Sequence, residues 1–476
     1  MMFTRQEAKG KVAVKQNKAN ENTMTPLERR ATYSLAGIYA LRMLGLFMIL
    51  PVFALYAEHL KGVTPVLVGL AIGIYGLTQS IFQIPFGMLS DKFGRKPIII
   101  IGLLIFAVGS IVAALSDSIM GVIIGRALQG SGAIAAALMA LTADLTREDH
   151  RLKAMAVIGM TIGLSFAVSM ILGPFLHRWI GVPGIFWLIS FLALAGILLV
   201  KYVVPTPEHT RFHRDTEAVP SEFKHVLRNS QLLRLDFGIL SLHMILTASF
   251  VVLPLALRDY AGLAEIHHWY VYLPVLLLGI VAMVPFVIIA ENKRQMKQVF
   301  VSAILVIALS EFSLVWFYHS LLAIVAILFA FFTAFNVLEA SLPSLVAKSA
   351  PPDLKGTAMG VYSSSQFFGA FLGGAMGGWL HQLYGVQGVF LFCSIVALVW
   401  FLVASTMKNP KYLSSHLVNI GDVDESNVHQ IVKKLTQVAG VAEAVVIPEE
   451  GMAYLMVDLK SLDREALNKF SVAHGS

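Results

Sequence analysis

Ten consecutive residues, Gly87-Met-Leu-Ser-Asp-Lys-Phe-Gly-Arg-Lys96, set one acid, Asp91, and three cations, Lys92, Arg95 and Lys96, around Gly87 and Gly94, between two long apolar stretches. A carboxylate at the edge of a low-dielectric region needs partners. Arg95 or the N-terminus of a helix can supply them. Asp144, at the inner end of another apolar stretch, can in turn pair with Arg95. A cluster of this kind can hold one loop geometry and release it when a bond breaks. The alternative is that these charges only fix topology and loop shape.

Further ionisable residues stand inside apolar stretches, where they are costly and point to function. Arg126 has Gln129 at i+3, on the same helix face. Arg42 is a second cation on the N-terminal side; it has either a cavity role or a snorkelling one. Proton carriers must be groups whose charge can change within the membrane, which suits Glu339, His243 and Glu311. Asn336 lies at i−3 from Glu339, on one helix face. Tyr39, Gln79, Gln83 and Gln366 are uncharged polar residues that can line the same cavity. His243 has an ordinary packing role as its alternative, and Glu311 an interhelical hydrogen bond. No nucleophile–base pair, metal-ligand cluster or phosphate-binding loop is legible, so no metal, cofactor or nucleotide is expected. The single cysteine, Cys393, excludes a disulfide framework.

The elements that must position these groups are membrane helices. Of the 476 residues 57% are hydrophobic and 14% charged, with mean hydropathy +0.73, a composition that belongs to polytopic membrane proteins. Twelve stretches are long enough to cross a bilayer: 33–56, 65–87, 97–115, 119–143, 154–176, 184–204, 235–257, 268–290, 298–318, 320–346, 356–380 and 388–407. The formal charge of +7 is not a nucleic-acid signal, because the basic residues cluster in loops. With the N-terminus inside, inner loops between residues 57 and 411 carry nineteen Lys and Arg and outer loops three, Lys61, Arg178 and Arg258. Both termini are therefore expected in the cytoplasm. Residues 1–30 show no cleavable signal peptide and read as a cytoplasmic extension, with Met1 or Met24 as its start. The expected divisions are a six-helix bundle over 31–204, a cytoplasmic linker over 205–234, a second bundle over 235–407 and a soluble tail over 412–476.

The two bundles repeat. Pro85-Phe and Asp91 recur as Pro285-Phe and Glu291, at an offset of 200. Ala154-Met-Ala-Val recurs as Ala358-Met-Gly-Val, and Gly173-Pro174 as Gly377-Gly378, at an offset of 204. Parallel repeats of this kind pack about an axis along the membrane normal, with a cavity between them. The repeat makes the start of the eleventh span, near Gly356-Thr357, a candidate helix end for Asp91. The glycines of residues 369–378 follow a small-xxx-small pattern suited to close helix packing.

The motif GMLSDKFGRKPII closely resembles the loop 2–3 signature of the major facilitator superfamily, G-x-L-x-D-x-x-G-R-K. Gly125-Arg-Ala-Leu-Gln-Gly130 resembles its fourth-helix motif, and Gly159, Gly163 and Gly173-Pro174 resemble the fifth-helix motif of its drug:proton antiporters. Phe175-Leu-His177 departs from the glycines usual in that last motif. The resemblance covers residues 30–407. It implies the all-α major facilitator fold and no enzymatic activity. It also implies a conformational latch of Gly87, Asp91, Gly94, Arg95, Lys96 and Asp144 that holds the outward-open state. Arg126 would face the cavity and take part in proton transfer.

The tail reads β-α-β-β-α, with strands at 417–420, 444–447 and 454–459 and helices at 426–438 and 462–470, which suggests a small α+β ferredoxin-like domain. It lacks the Cys-x-x-Cys of metal-binding domains with that strand order, so a thiolate copper site is excluded. A weak carboxylate site at Asp422, Asp424 and Glu425 is a minor alternative. Self-association and docking onto the cytoplasmic loops both remain open for this domain. The expected function is proton-coupled export of small molecules or drugs by alternating access, from the bacterial inner membrane. Its partners are the substrate, protons and the lipid bilayer, with no nucleic acid. A metabolite uniporter or symporter, and a membrane sensor signalling through the tail, are the alternatives.

Overall fold

The computed structural model describes residues 24–207, 222–351, 354–409, 414–421, 424–448, 451–458, 461–463, 466–467 and 469–470. The extension before residue 24, the middle of the linker and Asp422 lie outside them. The first span is two helices, α1 (Pro26–Phe47) and α2 (Leu50–Ala57), divided at Met48–Ile49 just before Pro51. Thr25 and Glu28 close a capping box at the start of α1, with Glu28 N–H donating to Thr25 Oγ1 at 3.2 Å. Then come α3 (Pro65–Phe93) and α4 (Arg95–Ala114). The fourth span is also broken, into α5 (Ile119–Ser131) and α6 (Ala135–Asp144), at Gly132.

The fifth and sixth spans form one run, α7 (Glu148–Leu198), and the eleventh and twelfth another, α13 (Lys355–Ser405), each of 51 residues. At about 1.5 Å per residue each would be about 77 Å long, more than twice the roughly 30 Å hydrocarbon core. Each run turns back at one glycine with left-handed backbone, Gly181 at φ 64° and Gly385 at φ 66°. The two glycines stand 204 residues apart, the offset of the sequence repeat. Ten described helical stretches are long and apolar enough to cross a membrane, and these two double back, giving twelve crossings. The second half contains the short α8 (Phe223–Arg228), then α9 (Ser230–Leu255), α10 (Trp269–Asn292), α11 (Met296–Phe317) and α12 (Leu321–Ser349), before α13.

The tail holds β1 (Ser414–Asn419), α14 (Val428–Thr436), β2 (Val441–Ile447) and β3 (Met452–Val457). They form an antiparallel sheet in the order β1-β3-β2, covered by Leu435 of α14 and Leu467. The molecule is thus an all-α multi-pass membrane protein with a small α+β domain.

The halves are joined on one side. A single apolar core runs through the C-terminal half and the outer part of the N-terminal half, and includes Phe53, Tyr75 and Phe186 of the one and Leu246, Phe250 and Phe332 of the other. The inner part of the N-terminal half has a separate core, with Leu35, Ile99, Leu138, Leu141 and Ile158. The outer parts of α3 and α13 meet backbone to backbone: a Cβ on Gly73 would stand 2.7 Å from the Phe371 carbonyl oxygen, and one on Gly69 2.7 Å from Gly378 Cα. Gly159 and Gly163, on the inner half of the fifth span, face open space. The described contacts between the halves thus include a close seam on the outer side.

Candidate functional site

At the cytoplasmic edge Gly94, at φ 92°, turns the chain sharply from α3 into α4. That turn brings Arg95, the first residue of α4, back over α3. Its guanidinium bonds Asp91, donates to Ser90 Oγ at 2.9 Å and pairs with Asp144 Oδ2 at 3.1 Å. Gly87 lets α6 approach, since a Cβ there would meet that of Ala136 at 3.2 Å. Lys96 donates to the Val204 carbonyl at 2.7 Å, closing the sixth span onto the fourth helix. All six residues of the expected latch thus gather in one place within the N-terminal half. Gly356 and Thr357, the helix end expected to face Asp91, lie at the start of α13 in the other half.

Inside the N-terminal half two arginines are almost fully buried. Arg42 donates to Tyr75 Oη at 3.2 Å and to Gln79 Oε1, and Gln79 continues to Gln83 at 3.3 Å. The Nε and Nη1 of Arg42 are buried without a hydrogen-bond partner. Arg126 donates to Gln129 at 3.0 Å and, at 3.4 Å, to the carbonyls of Ala71 and Ile72. It also lies over the Tyr75 ring, 5.1 Å from the centroid. Gln129 passes the chain on to Ser110 at 2.8 Å. These are the bonds of a clamp between α3, α4 and α5.

The C-terminal half buries acids instead. Gln366 of α13 donates to His243 Nε2 of α9 at 2.8 Å and reaches Glu339 Oε1 of α12 at 3.4 Å. Glu339 Oε2 lies 3.9 Å from His243 Nε2 and has no hydrogen-bond partner. Phe335, one turn before Glu339, stacks on Phe166 of the other half with centroids 5.8 Å apart. The three polar groups are thereby set beside the seam between the halves. Asn336, whose Nδ2 is also unpartnered, faces Gly279 of α10. Glu311 accepts from Ser249 at 2.8 Å, next to Cys393, away from this knot. Gly173 packs against the Met48 carbonyl and Pro51, with Pro174 buried beside it.

Two groups escaped the sequence reading. Arg258, at the outer end of α9, pairs with Glu58 at 2.7 Å and Glu265 at 3.2 Å, so it ties the halves together outside. Asp236 is 6% exposed and lies near the inner end of α9, with Oδ2 unpartnered. It falls inside the span 235–257 expected from the sequence, one residue from its inner boundary, whereas the helix itself begins at Ser230.

Twelve crossings in two repeated bundles, with ionisable side chains at their seam, define a membrane transporter. The chain belongs to the Major Facilitator Superfamily, whose sequence profile matches residues 35–374 and 297–418. The inner membrane transport protein YajR of Escherichia coli is 49% identical over 445 residues, 94% of this chain and 98% of that protein. Multidrug resistance protein MdtH of Proteus mirabilis is 26% identical over 372 residues, 76% of this chain and 88% of that one. In fold, the chain matches a bacterial homologue of the human lysosomal transporter Spinster, in its inward-facing and occupied conformation, at TM-score 0.67 and 11% identity, over 81% of this chain and 98% of that one. Proteins of this superfamily are transporters, not enzymes.

Proposed function

We propose that the chain is a secondary active exporter of the bacterial inner membrane, with both termini cytoplasmic. It drives small molecules or drugs outward by letting protons in. The observation that carries this reading is the knot of Glu339, His243 and Gln366 at the seam, with one carboxyl oxygen left unpartnered. Such an oxygen is satisfied by a proton or by a substrate donor, and the two compete. Proton binding then acts by stabilising one conformer over the other. MdtH, by its name a multidrug resistance protein, supports the export direction.

In this reading Asp91, Arg95 and Asp144 form the latch, with Gly87, Gly94 and Lys96 setting the loop. It engages when the cytoplasmic side closes and the outward-open state forms. Arg126 and Gln129 hold the N-terminal half rigid, while Arg42 and Asn336 line the path. Gly163 offers a smooth face for the closing movement, and Gly173 with Pro174 seals the fifth span against the first. The tail docks rather than self-associates, which the 3.6 Å approach of Asp458 to Arg294 favours.

The test is flux of a compound panel from proteoliposomes under an imposed pH gradient. The expected result is gradient-driven flux of at least one compound, lost on adding an uncoupler and lost in Glu339→Gln. Flux that ignores the gradient would instead point to a uniporter.

A further inference from the structure

Four side chains of the C-terminal half continue from the seam toward the cytoplasm. Asp236, Leu240 and His243 occupy one face of α9 at i, i+4 and i+7, and Tyr362, Gln366 and Gly369 occupy one face of α13 at the same spacing. The two faces meet. A Cβ on Gly369 would stand 2.8 Å from the backbone of Leu240, and one on Gly373 2.9 Å from that of Met244, so the helices run in parallel with a fixed register of 129. That register sets Asp236 beside the turn 362–366. Tyr362 lies within electrostatic reach of both Asp236 and Glu339. Asp236 Oδ2, Tyr362 Oη and Glu339 Oε2 are each buried without a hydrogen-bond partner.

Buried polar atoms that lack partners are rare and call for a reason. Three such oxygens lie on α9, α12 and α13, none bonded to another, and a proton bound on one carboxyl would turn it into a donor for a second of them. The titratable groups facing this strip are His243 of α9 itself, Glu339 of α12 and Tyr362 of α13. Trp400 approaches from the last span, its Nε1 2.9 Å from the place of a Gly238 Cβ. The cations at the cytoplasmic helix ends are engaged elsewhere, Arg234 with Ser230 and Thr406 and Lys348 with Glu291.

We infer that Asp236 and Tyr362 form the cytoplasmic leg of the proton path, receiving from Glu339 the proton that this carboxyl acquired from outside. Once side-chain rotation closes both gaps to hydrogen-bond distance, Glu339 gives its proton to the Tyr362 oxygen as Tyr362 passes its own to the Asp236 carboxylate. Glu339 ends ionised, Asp236 ends protonated and Tyr362 is unchanged. Asp236 then loses one proton to cytoplasmic water, so one proton leaves for each that entered. Asp236 and Tyr362 touch no substrate and are positioning residues for the proton.

This inference rests on Glu339 as the carrier, and the experiment separates the two. Infrared spectroscopy of the full chain in nanodiscs follows the carbonyl stretch of protonated carboxyl groups as pH is changed, with no substrate needed. Glu339→Gln is expected to remove one titrating band. Asp236→Asn should remove a second and shift the midpoint of the Glu339 band, while Asp236→Glu should bring a second band back. Tyr362→Phe, which keeps the ring's shape, should weaken the coupling and move both midpoints toward independent titration. If Glu339→Gln removes no band, the carrier reading fails. If it does, but neither Asp236→Asn nor Tyr362→Phe moves the Glu339 midpoint, the relay is overturned and the carrier stands.

Discussion

The two halves share a plan, yet the middles of their spans bury opposite kinds of charge; the buried acids of the N-terminal half, Glu28 and Asp144, lie at its cytoplasmic edge and pair with arginines. The N-terminal half sinks two arginines, Arg42 and Arg126, among glutamines, tyrosine and backbone carbonyls. The C-terminal half buries Asp236 and Glu311 and sets Glu339, its side chain 36% exposed, at the seam, with no buried Lys or Arg among its described residues. An arginine stays charged at any physiological pH, whereas a carboxyl in a desolvated site can gain or lose its proton. One half therefore carries a constant charge and the other a variable one. A device that converts proton binding into movement needs both, a fixed reference and a group that changes against it. In the proposed mechanism the latch sits in the half of constant charge, so that its ion pairs survive while the other half changes protonation.

The largest expected effect tests the constant half. Arg126→Ala removes a buried cation that clamps three helices, and about 4 kcal/mol of stability should go with it, read as a fall in the thermal unfolding temperature in detergent. A loss below about 1 kcal/mol would make this arginine a surface-like residue and break the comparison. Next comes Asp91→Asn. It should abolish transport while membrane insertion and expression stay intact, because one bond of a charge network, worth roughly 1–3 kcal/mol, is enough to unbalance two conformers of similar energy. Full transport by that variant removes the latch.

Glu339→Gln probes the variable half. Gradient-driven flux should fall at least about tenfold, or about 1.4 kcal/mol, with little change in unfolding temperature. An equal loss of stability would make Glu339 a structural group like Arg126. The smallest effect concerns the degraded copy of the latch. Arg294 stands 200 residues after Gly94 and keeps its left-handed backbone, at φ 54°. Arg294→Gly and Arg294→Ala both lose the pair with Asp458, yet the glycine variant should be more stable than the alanine one by about 1 kcal/mol, from backbone strain alone. Equal stabilities would show that the loop relaxes freely.

Much of this was legible in the residues. Apolar run length located the crossings, and the offset of 204 anticipated that the two reversals, at Gly181 and Gly385, are equivalent. Positive φ at residue 294 was not legible, because an arginine gives no sign of a conformation that only its glycine counterpart explains. The breaks at Ile49 and Gly132 were missed for a related reason: hydropathy is blind to backbone direction. Gly87, Asp91, Gly94, Arg95 and Lys96 stand together in the sequence, whereas the pairing of Arg95 with Asp144, 49 residues away, came from the family resemblance. The outer clamp was not legible, since Glu58 and Arg258 lie 200 residues apart and each is an unremarkable surface charge in its own loop. Asp236 stood one residue inside the expected span, where an acid reads as an interfacial charge; the helix that starts at Ser230 sets it deeper.

The glycine seam between α3 and α13 has a consequence for the membrane itself. A molecule hinged on such an outer seam becomes a wedge whenever its inner ends part, and it then claims more area in the cytoplasmic leaflet than in the outer one. Its counterpart in the cycle, closed inside, reverses the taper. Lateral pressure in each leaflet therefore does work on the conformational equilibrium. Lipids whose headgroups are small relative to their tails, or an imbalance in lipid number between the leaflets, would shift the populations of the two shapes without touching a single side chain of the site.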